Sequence, residues 1–265
     1  MGRAIELISG QVTAPDTTLT TLTMNSGNSA TVRNTQEDSP IKMIGAWNKN
    51  QTAGLLRVRS PFLHDNVNGF ETGAPAADIF NHLNPSMGIP LKTQDTLSLA
   101  LSGSATSGDI EIASFLVHYE DLPGIDARLI DAATLKDRME QIMAVQNTLS
   151  TGTSGGYSGE EAINAEQDQF KANRDYALIG YQVSAICGCV RWRGSDTGNL
   201  GVGGPGSVAH RDDTRSWFID LSMATGVPAI PVFNSSNKDS ILLDCHQDED
   251  GADVTVSSIF ALLKS

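Results

Sequence analysis

Two stretches of this chain, 144 positions apart, carry the same pattern. Asp95-Thr-Leu-Ser-Leu-Ala-Leu101 lies over Asp239-Ser-Ile-Leu-Leu-Asp-Cys245, and Asp109-Ile-Glu-Ile-Ala-Ser114 lies over Asp253-Val-Thr-Val-Ser-Ser258. Asp95, Leu99, Asp109 and Ser114 are identical in both. Leu97, Leu99 and Leu101 alternate with small residues, which puts them on one face of a strand. Alternation stops after each serine, at Phe115-Leu-Val117 and at Ile259-Phe-Ala-Leu-Leu263. A run that drops alternation is covered on both faces. Each stretch therefore predicts two strands joined by a short polar turn as an antiparallel hairpin, its last strand buried on both sides and Ser114 equivalent to Ser258.

Further matches keep one order along the chain. Ala53-Gly-Leu-Leu-Arg-Val-Arg59 resembles Cys187-Gly-Cys-Val-Arg-Trp-Arg193, and Ile44-Gly45 resembles Ile179-Gly180. Phe80 and Leu83 match Phe218 and Leu221, and Ile89-Pro-Leu91 matches Ile230-Pro-Val232. Two β-rich halves alike only in composition are the competing reading. The constant order, with an offset drifting from 134 to 144, favours duplication of one β domain. The expected organisation is a first unit at 1–123, a linker at 124–169 and a second unit at 170–265.

Between these landmarks the chain reads as follows. Residues 1–35, rich in Thr, Ser and Asn, suggest edge strands or an extended arm. Ile41–Trp47 and Leu55–Arg59 are strands, 61–75 a loop, and Ala76–Leu83 a short helix. Asp126–Leu149 carries a helical stripe of Leu129, Ala132, Met139, Ile142 and Met143, and predicts a helix at the junction of the units. Residues 150–167 are a Gly/Ser-rich loop. Tyr176–Val183 and Ile186–Arg193 are strands, Gly194–Gly206 a glycine-rich surface loop, and Ser216–Met223 a short helix.

Charge narrows the function. The 265 residues hold 18 Lys plus Arg against 31 Asp plus Glu, a net charge of −13. So acidic a surface repels phosphates and gains nothing from counterion release, so no direct nucleic-acid contact is expected. No apolar run reaches the ~18 residues of a membrane span. The N-terminus has no secretory core, and Glu6 stands where a myristoylation signal needs Ser or Thr.

No motif assembles a catalytic set. The three cysteines make no disulfide framework. Cys187, Cys189 and Cys245 match the apolar Ala53, Leu55 and Leu101, as buried thiols do. A zinc site from them and His246 lacks the usual C-x₂-C spacing. Gly201-x-Gly203-x-x-Gly206 fits a dinucleotide fingerprint by letter, but Pro205 interrupts it and no helix is expected after it. Asp248–Asp253 resembles a fragment of a calcium loop, with His246 where an oxygen ligand belongs. His64, His82, His118, His210 and His246 stand in no hydrolase context, and His210-Arg-Asp212 lacks the other kinase signatures. No catalytic, cofactor-binding or metal-ligating residue is assigned, and the chain is expected not to be an enzyme.

The repeated stretches at Asp95–Tyr119 and Asp239–Leu263, with Leu56-Arg-Val-Arg59 and Val190-Arg-Trp-Arg193, resemble the double jelly-roll major capsid proteins of icosahedral viruses and tailless, membrane-containing phages. That resemblance implies an all-β chain of two tandem jelly-roll sandwiches. It also implies trimeric capsomers that tile an icosahedral shell in the virion after assembly in the host cytoplasm. Partners would be further copies of the chain, neighbouring capsid, penton or minor capsid proteins, and an internal membrane where the virion holds one. The alternative is a tandem β-sandwich binding module, lectin-like or a receptor-binding fibre or minor capsid protein, which needs exposed aromatic platforms. An enzyme on a β-sandwich ranks third.

Overall fold

The computed structural model describes residues 2–36, 39–62, 67, 69–74, 88–150, 156–164, 168–185, 187–206, 214–247 and 253–265. Nine strands make the first unit: β1 (Gly2–Thr13), β2 (Thr20–Thr21), β3 (Thr23–Met24), β4 (Ile41–Lys49), β5 (Gly54–Arg59), β6 (Phe70–Ala74), β7 (Ile89–Leu91), β8 (Ser98–Leu101) and β9 (Ile110–Leu122). The second unit opens with β10 (Leu129–Ile130) and helix α1 (Ala132–Arg138), then β11 (Met139–Leu149), β12 (Gly156–Ala162), β13 (Asp175–Val183), β14 (Cys187–Arg193) and β15 (Val202–Gly206). Helix α2 (Trp217–Thr225), β16 (Ile230–Asn234), β17 (Leu242–Gln247) and β18 (Val254–Leu263) complete it.

The two units share one strand order. The first stacks a sheet β3-β1-β9-β4-β7 on a sheet β2-β8-β5-β6. The second stacks β11-β18-β13-β16-β10 on β12-β17-β14-β15. Thus β1, β9, β4 and β7 correspond to β11, β18, β13 and β16, and β2, β8, β5 and β6 to β12, β17, β14 and β15. Two facing four-stranded antiparallel layers in this order are a jelly-roll sandwich. The chain is all-β and holds two of them.

Register confirms the correspondence residue by residue. Val58 pairs with Leu99, and Trp192 with Leu243, so Leu99 and Leu243 are equivalent as expected. In β4 the ladder to β9 shifts between Met43 and Gly45, and in β13 the ladder to β18 shifts between Leu178 and Gly180. Both units thus place a bulge at the same Ile-Gly step. A second shift falls between Gly2 and Ala4 in β1 and between Met139 and Gln141 in β11. These anchors set β9 against β18 at an offset of 143, because Leu116 and Ile259 both face the bulge glycine.

That offset corrects the serine equivalence by one residue. Ser258 points into its own sandwich, where it accepts the Trp192 indole N–H at 3.0 Å. Ser114 points out of its sandwich, toward Ser9 Oγ at 3.0 Å. Its counterpart is Ser257. A one-residue slip exchanges the two faces of a strand, and in a segment buried on both faces hydropathy cannot reveal it.

The pairing within each repeated stretch also differs from expectation. β8 pairs with β5, and β9 with β1 and β4, so these two strands lie in opposite sheets rather than in one hairpin. β17 and β18 are split in the same way. Alternation records which residues face the core, and strands on either side of a sandwich face the same core. Leu99, Leu101, Phe115 and Val117 therefore meet across one core, and Trp192, Leu243, Val256 and Phe260 across the other.

The expected junction helix at 126–149 is confined to seven residues. Asp131 caps α1 by accepting from the Thr134 backbone N–H at 2.7 Å. After Arg138 the chain becomes extended, and β11 pairs with β18 from Met139 to Leu149. Gln, Met and Ala favour helix intrinsically, but a continuous ladder and the burial of Val145 and Leu149 outweigh that preference. β11 and β12 therefore belong to the second sandwich rather than to a linker. Three further expectations change. β1 is a buried twelve-residue strand flanked by β3 and β9 rather than an edge arm. β6 falls within the expected loop 61–75. Part of the expected loop 194–206 is β15, a buried edge strand, where Pro205 is tolerated. The helix expected at 76–83 lies outside the described residues, whereas that expected at 216–223 is α2.

Candidate functional site: the junction between the two sandwiches

The outer face of the first unit's β3-β1-β9-β4-β7 sheet carries Ile5, Leu7 and Ser9 on β1, Ile44 and Trp47 on β4, and Ser114 and Leu116 on β9. Ile5, Leu7, Ile44, Trp47 and Leu116 join the second unit's hydrophobic cluster rather than their own. What covers them is the outer face of β14 and β15. The second cover that the loss of alternation after Ser114 demands is thus the other half of the chain.

Glycine lets the layers approach. A Cβ on Gly188 would stand 2.5 Å from Ile112 Cγ2, and one on Gly203 would stand 2.9 Å from Leu7 Cδ2. The Gly201-x-Gly203-x-x-Gly206 run is therefore a packing surface and no dinucleotide loop. Trp47 donates its indole N–H to the Gly188 carbonyl at 2.8 Å and packs edge-on against Trp217, with ring centroids 5.7 Å apart. Backbone joins in, as Leu7 N–H donates to the Gly201 carbonyl at 2.7 Å.

A polar cluster closes one side. His246 on β17 is fully buried. Its Nδ1 lies 2.7 Å from Ser9 Oγ and 2.9 Å from Asn25 Nδ2, and its Nε2 lies 2.8 Å from Gln11 Oε1. The Asn25 amide nitrogen can only donate and Gln11 Oε1 can only accept, which fixes the neutral Nε2–H tautomer. Burial, with Arg191 nearby, lowers the His246 pKa to about 3. Cys189 faces the same cluster and is hydrogen-bonded to Ser114 and Ser9, and burial raises its thiol pKa to about 11. Asn28 bridges the units by accepting from Ser9 N–H at 2.9 Å and from the Tyr157 hydroxyl at 3.0 Å.

At the rim lies a cleft of about 580 Å³ between the units. Its guanidinium groups are already engaged. Arg33 pairs with Glu6 at 2.7 Å, Arg191 with Asp244 at 2.5 Å, and Arg193 with Glu160. Arg191 also lies over the Tyr157 ring, 3.4 Å from its centroid. Paired charges and stacked rings of this kind hold two sheets in one orientation.

The residues singled out in the sequence fall as follows. Cys187, Cys189 and Cys245 are buried and free of disulfides. Cys187 lies against Cys245, and this contact together with burial raises its pKa well above the usual thiol range. Among the described residues no three of His, Cys, Asp and Glu converge into a metal cluster. His118 is buried on β9, 3.9 Å from Glu120. His64, His82, His210 and the acidic segment 248–252 lie outside the described residues. Sequence reasoning missed Ser9, Gln11, Asn25 and Asn28 as junction residues. Their one signal was the Ser/Thr/Asn richness of the first 35 positions.

No protein-family model and no curated protein matches the sequence. Solved structures similar to the chain include the PBSX exported protein XepA, 9% identical over 86% of this chain and 83% of that one, with a TM-score of 0.21. They also include the major capsid protein P2 from bacteriophage PM2, 6% identical over 99% of this chain and 98% of that one, also with a TM-score of 0.21. The architecture described above stands on strand order and register within this chain alone.

Proposed function

We propose that this chain is a virion structural protein, a capsid subunit that self-assembles into trimeric capsomers of an icosahedral shell. The observation that carries the reading is the pair of jelly-roll sandwiches with one strand order, stacked so that a sheet face of the first is buried under a sheet of the second. Jelly rolls serve viral shells and lectins alike. A lectin-like reading calls for exposed aromatic platforms, and among the described residues Phe62 is the one exposed aromatic side chain. The junction is given over to packing and paired charge, as a rigid building block requires. The acidic composition suits a subunit that coats rather than binds a genome.

Light scattering and negative-stain microscopy on the purified protein test this. The expected result is a trimer with a six-lobed outline, two lobes from each chain. A strict monomer at high concentration would remove the reading.

A further inference from the structure

Each sandwich has the same two outer faces, and the chain uses them unequally. The outer face of the first β1-β9-β4-β7 layer is sealed by the outer face of the second β12-β17-β14-β15 layer. Among the described residues, that leaves uncovered the equivalent outer face of β11 and β18, and the equivalent outer face of β5 and β8. Ile5 pairs with His118, and Ile142 with Ala261. Ile142 is therefore the counterpart of Ile5, Ala144 of Leu7, Gln146 of Ser9 and Ile259 of Leu116. Ile5 is 0% exposed, whereas Ile142 is 53% exposed. Segments 141–149 and 254–263 contain no charged residue and no histidine, in a chain of which 18% is charged.

The other unused face matches the one that does the sealing. Leu55, Arg57 and Arg59 on β5 are the counterparts of Cys189, Arg191 and Arg193 on β14. Leu55 is 42% exposed, whereas Cys189 is 0% exposed. Arg57 pairs with Glu71 of its own sheet, as Arg191 pairs with Asp244. The partner charges are thus already satisfied within each sheet, and the apolar Leu55 stands beside them.

We infer that the β11/β18 outer face of one chain docks on the β5/β8 outer face of the next, repeating between chains the contact that joins the two halves within one. This deepens the capsid reading and rests on it for the existence of assembly. The contact is head-to-tail, because its two faces differ, so it builds a ring when the rotation closes. It also fixes which residues meet. Cys189 touches Ser114 within the chain, so Leu55 of one chain meets Ser257 of the next. Leu7 seats against Gly203, so Ala144 meets Glu71.

The test is a cysteine pair across the expected contact. The double variant Leu55→Cys/Ser257→Cys, oxidised under native conditions, gives covalent species of two and three chains on a non-reducing gel. Each single variant gives none within the assembly, because the native thiols are buried and a head-to-tail contact brings no residue against its own copy. Ile142→Glu, at a position exposed in the single chain, weakens association by about tenfold or more, the factor carried by each ~1.4 kcal/mol of contact, while the circular dichroism and melting temperature of the dilute monomer hold. If the double variant assembles by light scattering but does not cross-link, and Ile142→Glu assembles normally, this face assignment fails and the capsid reading stands. If the unmodified protein stays monomeric, both fail.

Discussion

Trp47 reaches from the first sandwich to donate its indole N–H to the carbonyl of Gly188 in the second, at 2.8 Å. Gly188 can be approached this closely because it has no side chain: a Cβ there would stand 2.5 Å from Ile112 Cγ2. One residue brings the donor and the other makes the room. Trp47→Phe keeps most of the ring and strands a buried carbonyl, so it lowers unfolding stability by about 1–3 kcal/mol. Gly188→Ala overpacks the same spot and costs about 1–3 kcal/mol. Urea midpoints measure both. Because the two changes act on one contact, the double variant should lose less than their sum.

Acid should loosen the junction before it touches the carboxylates. Native His246 and His118 hold their pKa values at about 3 and about 4, both chiefly through burial. An unfolded histidine takes a proton at pH ~6.5. Below that pH the unfolded chain binds protons that the native chain refuses, so stability falls as pH falls from about 6.5 toward 4. The slope approaches about 1.4 kcal/mol per pH unit for each histidine. Asp175, held low by its hydrogen bond to Arg128, adds its own loss only nearer its ordinary titration range. Urea midpoints between pH 8 and 4.5 read this slope, which burial of Glu111, raising its carboxyl pKa, partly opposes at the acid end. His246→Gln should remove its share of that slope, and an unchanged slope would show that the junction histidine does not titrate this way.

Chemical probes should find the thiols silent. All three cysteines are buried, and burial raises the Cys189 pKa to about 11. Thiolate is the reactive form, so a disulfide reagent at pH 8 should label none of them in the native protein and all three in denaturant. Cys245→Asp should destabilise strongly, because it buries a charge among apolar neighbours, and the variant is expected to be recovered mainly as insoluble protein.

How much of this was legible beforehand follows from what hydropathy records. It marks which side chains face a core, so the repeat, β4, β5, β13, β14 and the equivalence of Leu99 with Leu243 could be read. It does not say which strand is the hydrogen-bonded neighbour, so β8 and β9 read as a hairpin that the sandwich splits. It is silent where both faces are covered, so Ser114 aligns by pattern with Ser258 although its structural counterpart is Ser257. β11 reads as helix in the sequence because Met139, Ile142 and Met143 carry helical spacing. Ile142 is apolar for its outer face and Val145 for its core, and two apolar faces of one strand imitate the stripe of a helix. The junction was hidden for a different reason. Ser9, Asn25 and His246 lie up to 237 positions apart, and no local pattern marks a polar cluster assembled by a duplication.

The two halves finally offer a controlled comparison of one arginine in two settings. Arg57 and Arg191 hold equivalent places on β5 and β14. The Arg191 and Asp244 side chains are 11% and 3% exposed, whereas those of Arg57 and Glu71 are 28% and 40% exposed. Asp244 grips Arg191 with both carboxylate oxygens, at 2.8 and 2.5 Å. Asp244→Asn leaves a guanidinium charge buried beneath Tyr157 with half its pairing gone, and breaking such a pair costs about 3–5 kcal/mol. Glu71→Gln disrupts an exposed pair and costs about 0–1 kcal/mol in the isolated chain. The sharper expectation concerns the assembled protein. If the β5 face is covered by a neighbouring chain, Glu71→Gln should become costly there, lowering the melting temperature of the oligomer while leaving that of the dilute monomer unchanged. Equal effects in both states would show that Arg57 and Glu71 stay in solvent after assembly.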